Sequence, residues 1–464
     1  MSSNRCLSSI ITLREHLMST IKIGRTMTRT FKRAKKNAEI RLDTGSAAMD
    51  KLSHVKLSQE QLDLKSKILK FIDDKLTSFD GAPAMFVIQG DAGTGKSVVL
   101  NALFNEIQRL AKTSSTSDND DSALKNTLHG TSNYLVVNHP EMLKLYHRIS
   151  KSFPYIPKSS LERPTSLINN LTKTKSMADV VIIDEAHLLS TSKDAFKRFY
   201  GENHLRDLMS LAKVLVIVFD DKQSLRMGSY WTENSPDGAS LSHFYKDIPD
   251  DRKDWFFLKQ QFRVVCDQDM LQWIEKLSTT GEILPFPKSI SSGNSKFDFK
   301  IWNDCGAMYE AIKQKDQELG QCRVLATYDF PYRLDGKDYF VTCGDNFKVR
   351  WDRYTPREIT PWSERDDTID EVGSVYTIQG FDLNYAGVIL GRSVVYDRKT
   401  DSIKLKPELY DDHAGFTKKK NIKNVDTVKH KIIMNSINVL LTRGVRGLYI
   451  YAWDPELRER LAKC

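Results

Sequence analysis

At 464 residues, with 40% hydrophobic and 28% charged residues, the chain is too long for one ordinary domain and has the composition of a globular protein with sizeable cores. No apolar run approaches the roughly 20 residues that a membrane-spanning helix needs, so we predict no membrane span. The six scattered cysteines include no Cys-x-x-Cys pair, which argues against a disulfide framework or a zinc site. Reduced thiols favour an intracellular protein, cytoplasmic or nuclear.

The net charge of +9 is concentrated at the N-terminus. Residues 1–36 contain nine Lys or Arg and one acidic residue, Glu15, so the rest of the chain is nearly neutral. Overall charge therefore does not predict nucleic-acid binding, and any binding groove must come from a local arrangement of charge. We predict that residues 1–45 form a basic, disordered arm, while an Arg-rich organelle presequence or an extension of little importance stay open.

The first predicted element after this arm is a helix, because apolar residues recur at helical spacing from Leu57 to Ile72. Gln61 in this helix has two interpretations. It lies three residues after Ser58 and would complete a capping box with that serine. Alternatively, its side-chain amide would read the adenine edge of a nucleotide, an interpretation favoured by its position upstream of the glycine-rich turn.

That turn lies between a predicted strand, residues 84–88, and a predicted helix that begins near Lys96. Glycines let several N–H groups point at phosphate oxygens, and the helix N-terminus adds positive potential there. Lys96 would reach the outer phosphates, and the Ser97 hydroxyl would ligate Mg²⁺. A chance glycine turn is the alternative, which the flanking strand and helix disfavour. The predicted phosphate-binding residues are Gly90, Asp91, Ala92, Gly93, Thr94, Gly95, Lys96, Ser97 and Val98.

Two acidic residues follow a run of four β-branched residues, 180–183, which predicts a buried parallel strand. Open α/β sheets bind ligands at the carboxyl ends of such strands. We therefore expect Asp184 to hold the Mg²⁺ coordination shell and Glu185 to orient or deprotonate an attacking water. The alternative is an ordinary strand end whose acids cap a helix, and the glycine-rich turn upstream disfavours it.

Strand signals continue into the second half of the chain. Residues 214–219 predict a buried strand that ends in an Asp-x-x-Gln element, 220–223, and residues 322–327 predict the opening strand of a second sheet. Aromatic residues then become frequent, and they would either stack on bases or, as we favour for each, pack in a core. They are Tyr328, Phe330, Tyr332, Tyr339, Phe340, Phe347, Trp351, Tyr354 and Trp362.

Two stretches near the C-terminus complete the pattern. Residues 375–382 precede a predicted strand, 387–391, and residues 435–444 predict a helix with a glycine stop before a closing strand, 448–452. Strand and helix signals thus alternate on both sides of residue 260. This alternation predicts two α/β domains in tandem rather than one sheet.

In their order along the chain, these motifs resemble those of superfamily 1 helicases, and especially the group-III Schlafen-type helicase domain and its microbial relatives. The resemblance spans roughly residues 55–460, and its most distinctive stretches are 375–385 and 438–444. The Asp-Glu-Ala-His tetrad, 184–187, also occurs in superfamily 2 helicases. Here, however, an Asp-x-x-Gln element and a Leu-Thr-Arg triplet follow it, which favours superfamily 1.

The resemblance implies an α/β fold of two tandem RecA-like P-loop NTPase domains with parallel sheets. It implies ATP with Mg²⁺ in the cleft between the domains and single-stranded DNA or RNA across their tops. We place the first domain at residues 46–256 and the second at 257–464.

The resemblance also implies roles for single residues. Gln61 would contact adenine, and Gln223 would link the γ-phosphate to the nucleic-acid side. Arg263 and Arg443 would be arginine fingers, whose guanidinium groups stabilise charge that grows on the transferring phosphoryl group.

Gln379 and Gly380 match a motif that faces both the nucleic-acid backbone and the nucleotide in such enzymes. Many superfamily 1 enzymes carry extra residues before this Gln-Gly pair, but here only Ile378 separates it from Thr377. The chain also leaves little room for large inserted domains that open a duplex. Translocation or remodelling is therefore expected ahead of processive unwinding.

The sequence thus predicts ATP hydrolysis coupled to nucleic-acid binding. The expected catalytic residues are Lys96, Glu185, Gln223, Arg263 and Arg443. A nucleotide-controlled module that binds nucleic acid or protein with little or no turnover is the alternative, which Glu185 and the two arginines disfavour. A nucleotide kinase lacks support because no lid for a phosphate acceptor is evident.

Overall fold

The computed structural model describes most of the chain after the N-terminal arm. Three predicted site residues, Asp91, Ala92 and Arg263, lie outside the described residues, as do the predicted arm, 1–45, and Tyr354. The described residues are 56–90, 93–113, 127–195, 198–233, 235–259, 268–291, 296–333, 335–353, 355 and 357–464.

Helices and strands alternate along both halves of the described chain. The helices are α1 Gln59–Thr77, α2 Lys96–Lys112, α3 Pro140–Ile149, α4 Pro164–Thr174, α5 His204–Leu211, α6 Leu241–Lys246, α7 Gln268–Thr279, α8 Lys288–Ser291, α9 Cys305–Leu319, α10 Val375–Ile378, α11 Val425–Leu441 and α12 Pro455–Ala462. The strands are β1 Ala84–Gly90, β2 Asn133–Val137, β3 Leu161–Glu162, β4 Ala178–Asp184, β5 Ala212–Phe219, β6 Lys253–Leu258, β7 Asp298–Ile301, β8 Cys322–Ala326, β9 Phe340–Cys343, β10 Phe347–Trp351, β11 Glu371–Gly373, β12 Leu383–Leu390, β13 Val394–Asp397, β14 Ser402–Leu405 and β15 Gly444–Ala452.

The first sheet has the strand order β3-β2-β4-β5-β1-β6, and its strand pairs are parallel. The central strands β1, β4 and β5 are continuous apolar runs because helices cover both faces of a parallel sheet. Parallel pairing places the carboxyl ends of β1 and β4 at the same edge, where the glycine-rich turn and the two acids follow. The edge strand β6 runs across the predicted domain boundary at 256/257.

The second sheet has the order β7-β15-β12-β8-β11-β10-β9 and is parallel except for the β9–β10 pair at one edge. The predicted opening strand, β8, lies in the middle of this sheet, and β7 precedes it in the chain. Two mainly parallel sheets in tandem confirm the predicted α/β class. In the described ranges, no helix combines the length and apolarity needed to cross a membrane.

Most of the aromatic residues between 328 and 362 belong to the core. Phe347, Trp351 and Trp362 are at most 2% exposed, and Tyr328 and Phe330 are also buried. Buried rings cannot stack on bases, so the core interpretation holds for these five. Phe340, by contrast, is 41% exposed.

The segment that precedes α11 packs against the first half of the chain. The Asp237 carboxylate accepts hydrogen bonds from the backbone N–H groups of Lys423 and Asn424, and Gly238 N–H donates to Asn421 O at 3.0 Å. A small apolar cluster lies beside these contacts and contains Met227, Tyr230, Ile422, Val428 and Ile432. The two sheets therefore belong to one compact unit.

Candidate nucleotide-binding site

The glycine-rich turn joins β1 to α2 and has the geometry of an anion site. Gly93 and Gly95 have φ angles of +93° and +78°, which residues with a side chain rarely adopt. Gly95 is the N-cap of α2, and no side chain within the described chain caps this helix end. Lys96 Nζ donates to Gly90 O at 2.5 Å, so the ammonium lies within the turn. A helix N-terminus and an ammonium at one place favour a bound anion.

Gln61 contributes both to the start of α1 and to the turn. Ser58 N–H donates to Gln61 Oε1 at 3.0 Å, and Gln61 N–H donates to Ser58 Oγ at 3.3 Å, which forms the capping box. Gln61 Nε2 also donates to Thr94 O at 3.3 Å. A carboxamide has two N–H donors and two oxygen lone pairs, so one of each remains. The adenine contact stays a prediction that this geometry permits.

Asp184 lies at the end of β4 beside the start of α2 and is 1% exposed. Ser97 Oγ lies 3.4 Å from Asp184 Oδ1, and Glu185 N–H donates to the same oxygen at 3.0 Å. The hydroxyl of Tyr146, in α3, donates to Asp184 Oδ2 at 2.6 Å. The predicted metal-binding pair, Ser97 and Asp184, is thus brought together.

This pair fits Mg²⁺, because hydroxyl and carboxylate oxygens are ligands that Mg²⁺ prefers. Within the described residues, no group of three or more His, Cys, Asp or Glu could hold a metal ion. Mg²⁺ at nucleotide sites is bound by one or two protein side chains together with phosphates and water. The donor set therefore suits an ion that arrives with a nucleotide.

Glu185 has a left-handed backbone, with φ of 51°, which is uncommon for residues other than glycine and often marks functional sites. His187 Nε2 lies 3.0 Å from Glu185 Oε2. Burial raises the pKa of the Glu185 carboxyl, but His187, Lys96 and Arg443 outweigh it and hold that pKa below its ordinary value. Burial and then the charge of Glu185 raise the pKa of the Asp184 carboxyl.

Two buried glutamines connect these acids to the second half of the chain. Gln379 Nε2 lies 3.1 Å from His187 Nε2 and donates to Gln223 O at 3.2 Å. Gln223 Nε2 in turn donates to Asp220 Oδ2 at 2.7 Å. A continuous chain of contacts therefore runs from Glu185 through His187 to Gln379.

Arg443, a predicted arginine finger, is 1% exposed and lies at the end of α11. Its Nε donates to Val439 O at 2.8 Å, and its Nη1 donates to Phe381 O at 3.3 Å. Its charge is among those that lower the pKa of the Glu185 carboxyl. Contact with a phosphate stays a prediction.

The start of α3 contacts the second half of the chain. His139 is the N-cap, and its Nδ1 accepts from Met142 N–H at 3.3 Å. The other ring nitrogen therefore carries the proton and donates to Tyr376 O at 3.1 Å. Gly380 has φ of +84°, and a Cβ there would lie 2.7 Å from Met142 Sδ. Only glycine therefore permits this close approach.

Polar contacts continue along α3. Glu141 accepts from Trp362 N–H at 3.0 Å, and Arg148 pairs with Glu364, whose side chain is 1% exposed. No motif in the sequence marked these contacts. No sequence motif marked Tyr146 or His139 as a functional candidate. His187 and Tyr376 lie in the motif stretches 184–187 and 375–385, but neither residue had an assigned role.

The glycine-rich turn and the two acids lie at the carboxyl ends of strands of the same parallel sheet. This arrangement is typical of P-loop α/β proteins. The family model of the Schlafen group 3, DNA/RNA helicase domain matches residues 83–454. This match covers most of the chain, and the chain belongs to that family. The resemblance deduced from the motifs is confirmed.

Relatives and solved structures add further similarities. The chain is 70% identical over 427 residues to the uncharacterized protein YPL245W of Saccharomyces cerevisiae, a match that covers 90% of this chain and 92% of that protein. It is similar to the PRRSV helicase with 11% identity and a TM-score of 0.32, over 84% of this chain and 55% of the viral chain. It is also similar to the arterivirus nonstructural protein 10 helicase, with 10% identity and a TM-score of 0.33, over 85% of this chain and 64% of the viral chain. The chain thus spans less than two thirds of either viral helicase.

Proposed function

We propose that this chain hydrolyses ATP and couples hydrolysis to translocation on, or remodelling of, single-stranded DNA or RNA. The main support for this proposal is the series of contacts from Glu185 through His187 to Gln379. These contacts join the acids beside the Lys96 turn to the second half of the molecule. A site that only binds nucleotide needs no such connection. A motor needs such a connection, because ATP hydrolysis must change the relative position of its two domains.

In the proposed site, the turn and Lys96 bind the phosphates through N–H groups and an ammonium. Ser97 and Asp184 would hold Mg²⁺, which neutralises charge on the phosphate oxygens when it is bound. The lowered pKa of Glu185 keeps its carboxylate ionised at neutral pH, so it can accept a hydrogen bond from the attacking water and orient it. Gln61 would contribute adenine selectivity through its remaining donor and acceptor.

Residues of the second half would complete the site. Arg443 would stabilise charge on the transferring phosphoryl group, and Arg263 is proposed for the same role on the basis of its motif alone. Gln379 would respond to the position of Glu185, since it contacts His187, which in turn contacts Glu185. Gln223 would respond to the same change, because its backbone carbonyl accepts a hydrogen bond from Gln379.

The nucleic-acid partner is proposed from the family, whose model describes a DNA/RNA helicase domain. The experiment is a measurement of ATP turnover with and without single- and double-stranded DNA and RNA. We expect stimulation by at least one single-stranded nucleic acid. Turnover that no nucleic acid changes would refute the motor, and nucleotide-dependent nucleic-acid binding without turnover would identify a nucleotide-controlled binding module instead.

Lys96→Ala tests the location of the site in the same assay. We expect a loss of about 10²-fold or more in turnover, because the ammonium is aimed into the phosphate turn. Lys112→Ala is the matched control, since Lys112 lies on the same helix but is exposed at its far end. Unchanged turnover in Lys96→Ala would refute the site assignment.

A further inference from the structure

We propose that Tyr146 is a positioning residue for Mg²⁺: its hydroxyl holds the Asp184 carboxylate in the orientation in which that carboxylate serves the metal. This inference rests on the proposed function. The main support for it is the 2.6 Å hydrogen bond from the Tyr146 hydroxyl to Asp184 Oδ2, which links α3 to the acid at the end of β4. No motif of the sequence includes Tyr146.

The hydrogen bonds around Asp184 determine the orientation of its carboxylate. Oδ1 accepts from Glu185 N–H at 3.0 Å and lies 3.4 Å from Ser97 Oγ, while Oδ2 accepts from Tyr146. With a donor on each oxygen, rotation of the carboxylate about its last side-chain bond would break at least one bond. A carboxylate oxygen accepts two hydrogen bonds, so Oδ2 keeps capacity for the metal or for a water of its shell. Removal of the hydroxyl would leave the Oδ2 side unrestrained.

Packing explains why the hydroxyl of Tyr146, and not its ring alone, matters for Asp184. The buried face of α3 consists of Met142, Leu145, Tyr146 and Ile149, so an apolar residue of similar size would satisfy the core. Tyr146 is 2% exposed, and a buried hydroxyl is costly unless it is hydrogen-bonded. Asp184 supplies that partner. Phenylalanine would preserve the ring packing and remove only the donor.

The same helix carries contacts to the second half of the chain, through His139 at its start and Arg148 near its end. A movement of the second half that displaces α3 would therefore also displace Tyr146 relative to Asp184. The metal site would in this way respond to the arrangement of the two halves, although neither metal-binding residue contacts the second half directly in the bonds described above.

The test uses the full chain and Tyr146→Phe. The affinity for ATP is measured by calorimetry in EDTA and across a series of Mg²⁺ concentrations, and the Mg²⁺ concentration for half-maximal turnover is measured in parallel. We expect unchanged ATP affinity in EDTA and an increase of about tenfold in the half-saturating Mg²⁺ concentration, the usual effect of removing a partner of a metal ligand. The ratio of affinities with and without Mg²⁺ comes from the same sample, so a loss of folded protein cancels.

Tyr449→Phe is the matched control, because the Tyr449 hydroxyl donates to Asp298 Oδ2 at 2.8 Å in the second sheet, away from the acids. Its Mg²⁺ dependence should equal that of the wild type. A wild-type Mg²⁺ dependence in Tyr146→Phe, with or without a lower melting temperature, overturns the inference. Absence of turnover in the wild-type chain refutes the proposed function separately, since the calorimetric series still reports on Tyr146.

Discussion

The guanidinium of Arg226 lies 3.9 Å from the centre of the Tyr376 ring, so the first half of the chain places a cation on an aromatic face of the second half. The Tyr376 hydroxyl donates to Asp412, and it lies 3.2 Å from Leu225 O. Arg226 follows Gln223 by three residues, and Tyr376 precedes Gln379 by three. The two segments that meet near Glu185 therefore meet a second time here, which makes this pair a structural link between the halves.

Arg226→Ala should weaken that link. A cation–π contact of this kind contributes about 1–2 kcal/mol, and its loss also removes a positive charge that interacts with the buried Asp412 carboxylate. We expect ATP turnover with single-stranded nucleic acid to fall by about tenfold, because about 1.4 kcal/mol of closure energy corresponds to that factor. Arg398→Ala is the control, since Arg398 pairs with Glu456 at the surface and is 74% exposed. Equal turnover in both variants would contradict the role of Arg226.

His139 makes a contact between the halves that depends on pH. Burial, with a smaller effect from Arg226, lowers the pKa of His139 to about 4, although Glu141 and Glu185 oppose the shift. The folded protein therefore keeps the imidazole neutral while the unfolded chain takes up a proton below pH 6.5. Stability from this group is complete above that value and is lost as the pH falls towards 4, by about 3 kcal/mol in all.

His139→Asn provides the comparison, because Asn is a good N-cap and does not titrate. The wild-type melting temperature should fall more between pH 7 and pH 5 than that of the variant, measured by scanning calorimetry at equal ionic strength. An equal fall in both proteins would show that His139 does not contribute this pH dependence.

Local signals in the sequence were sufficient to predict the parts of the site that a continuous segment encodes. The turn before Lys96 and the strand before Asp184 are such parts, because glycine spacing and β-branched runs reflect local backbone requirements. Tyr146 carries no such signal, because its contact with Asp184 forms only when α3 packs beside β4. His187 lies in the Asp-Glu-Ala-His tetrad, but its contact with Gln379 forms only when the two halves of the chain pack together. Gln61 shows a third case: its capping box with Ser58 is present and it also donates to Thr94 O in the turn, while the adenine contact stays a prediction.

The order of strands in the two sheets could not be read from the chain. β8 has the composition of an opening strand, yet it lies in the middle of its sheet, because β11 and β12 pair on either side of it. The predicted boundary at 256/257 falls inside β6, which pairs with β1 in the first sheet. Strand order depends on contacts between distant segments, which local patterns do not specify.

Gln379→Ala tests the connection between the halves near the acids. The variant loses the hydrogen bond to Gln223 O and the contact with His187. Neither of these two contacts involves the phosphate turn. We expect kcat to fall by about tenfold with little change in the KM for ATP, the pattern of an interaction that matters mainly in the transition state. Asn384→Ala is a control from the same segment, as its amide donates to Gly320 O at 2.9 Å. A raised KM with unchanged kcat would contradict this role.

We propose that ATP is hydrolysed at the acids beside the Lys96 turn. The most direct measurement is phosphate release by the wild type and by Glu185→Gln, with ATP binding measured on the same samples. Gln has the shape of Glu but cannot act as an ionised base, so we expect a loss of about 10²-fold or more in phosphate release with near-normal ATP binding. Equal phosphate release by the two proteins would contradict it.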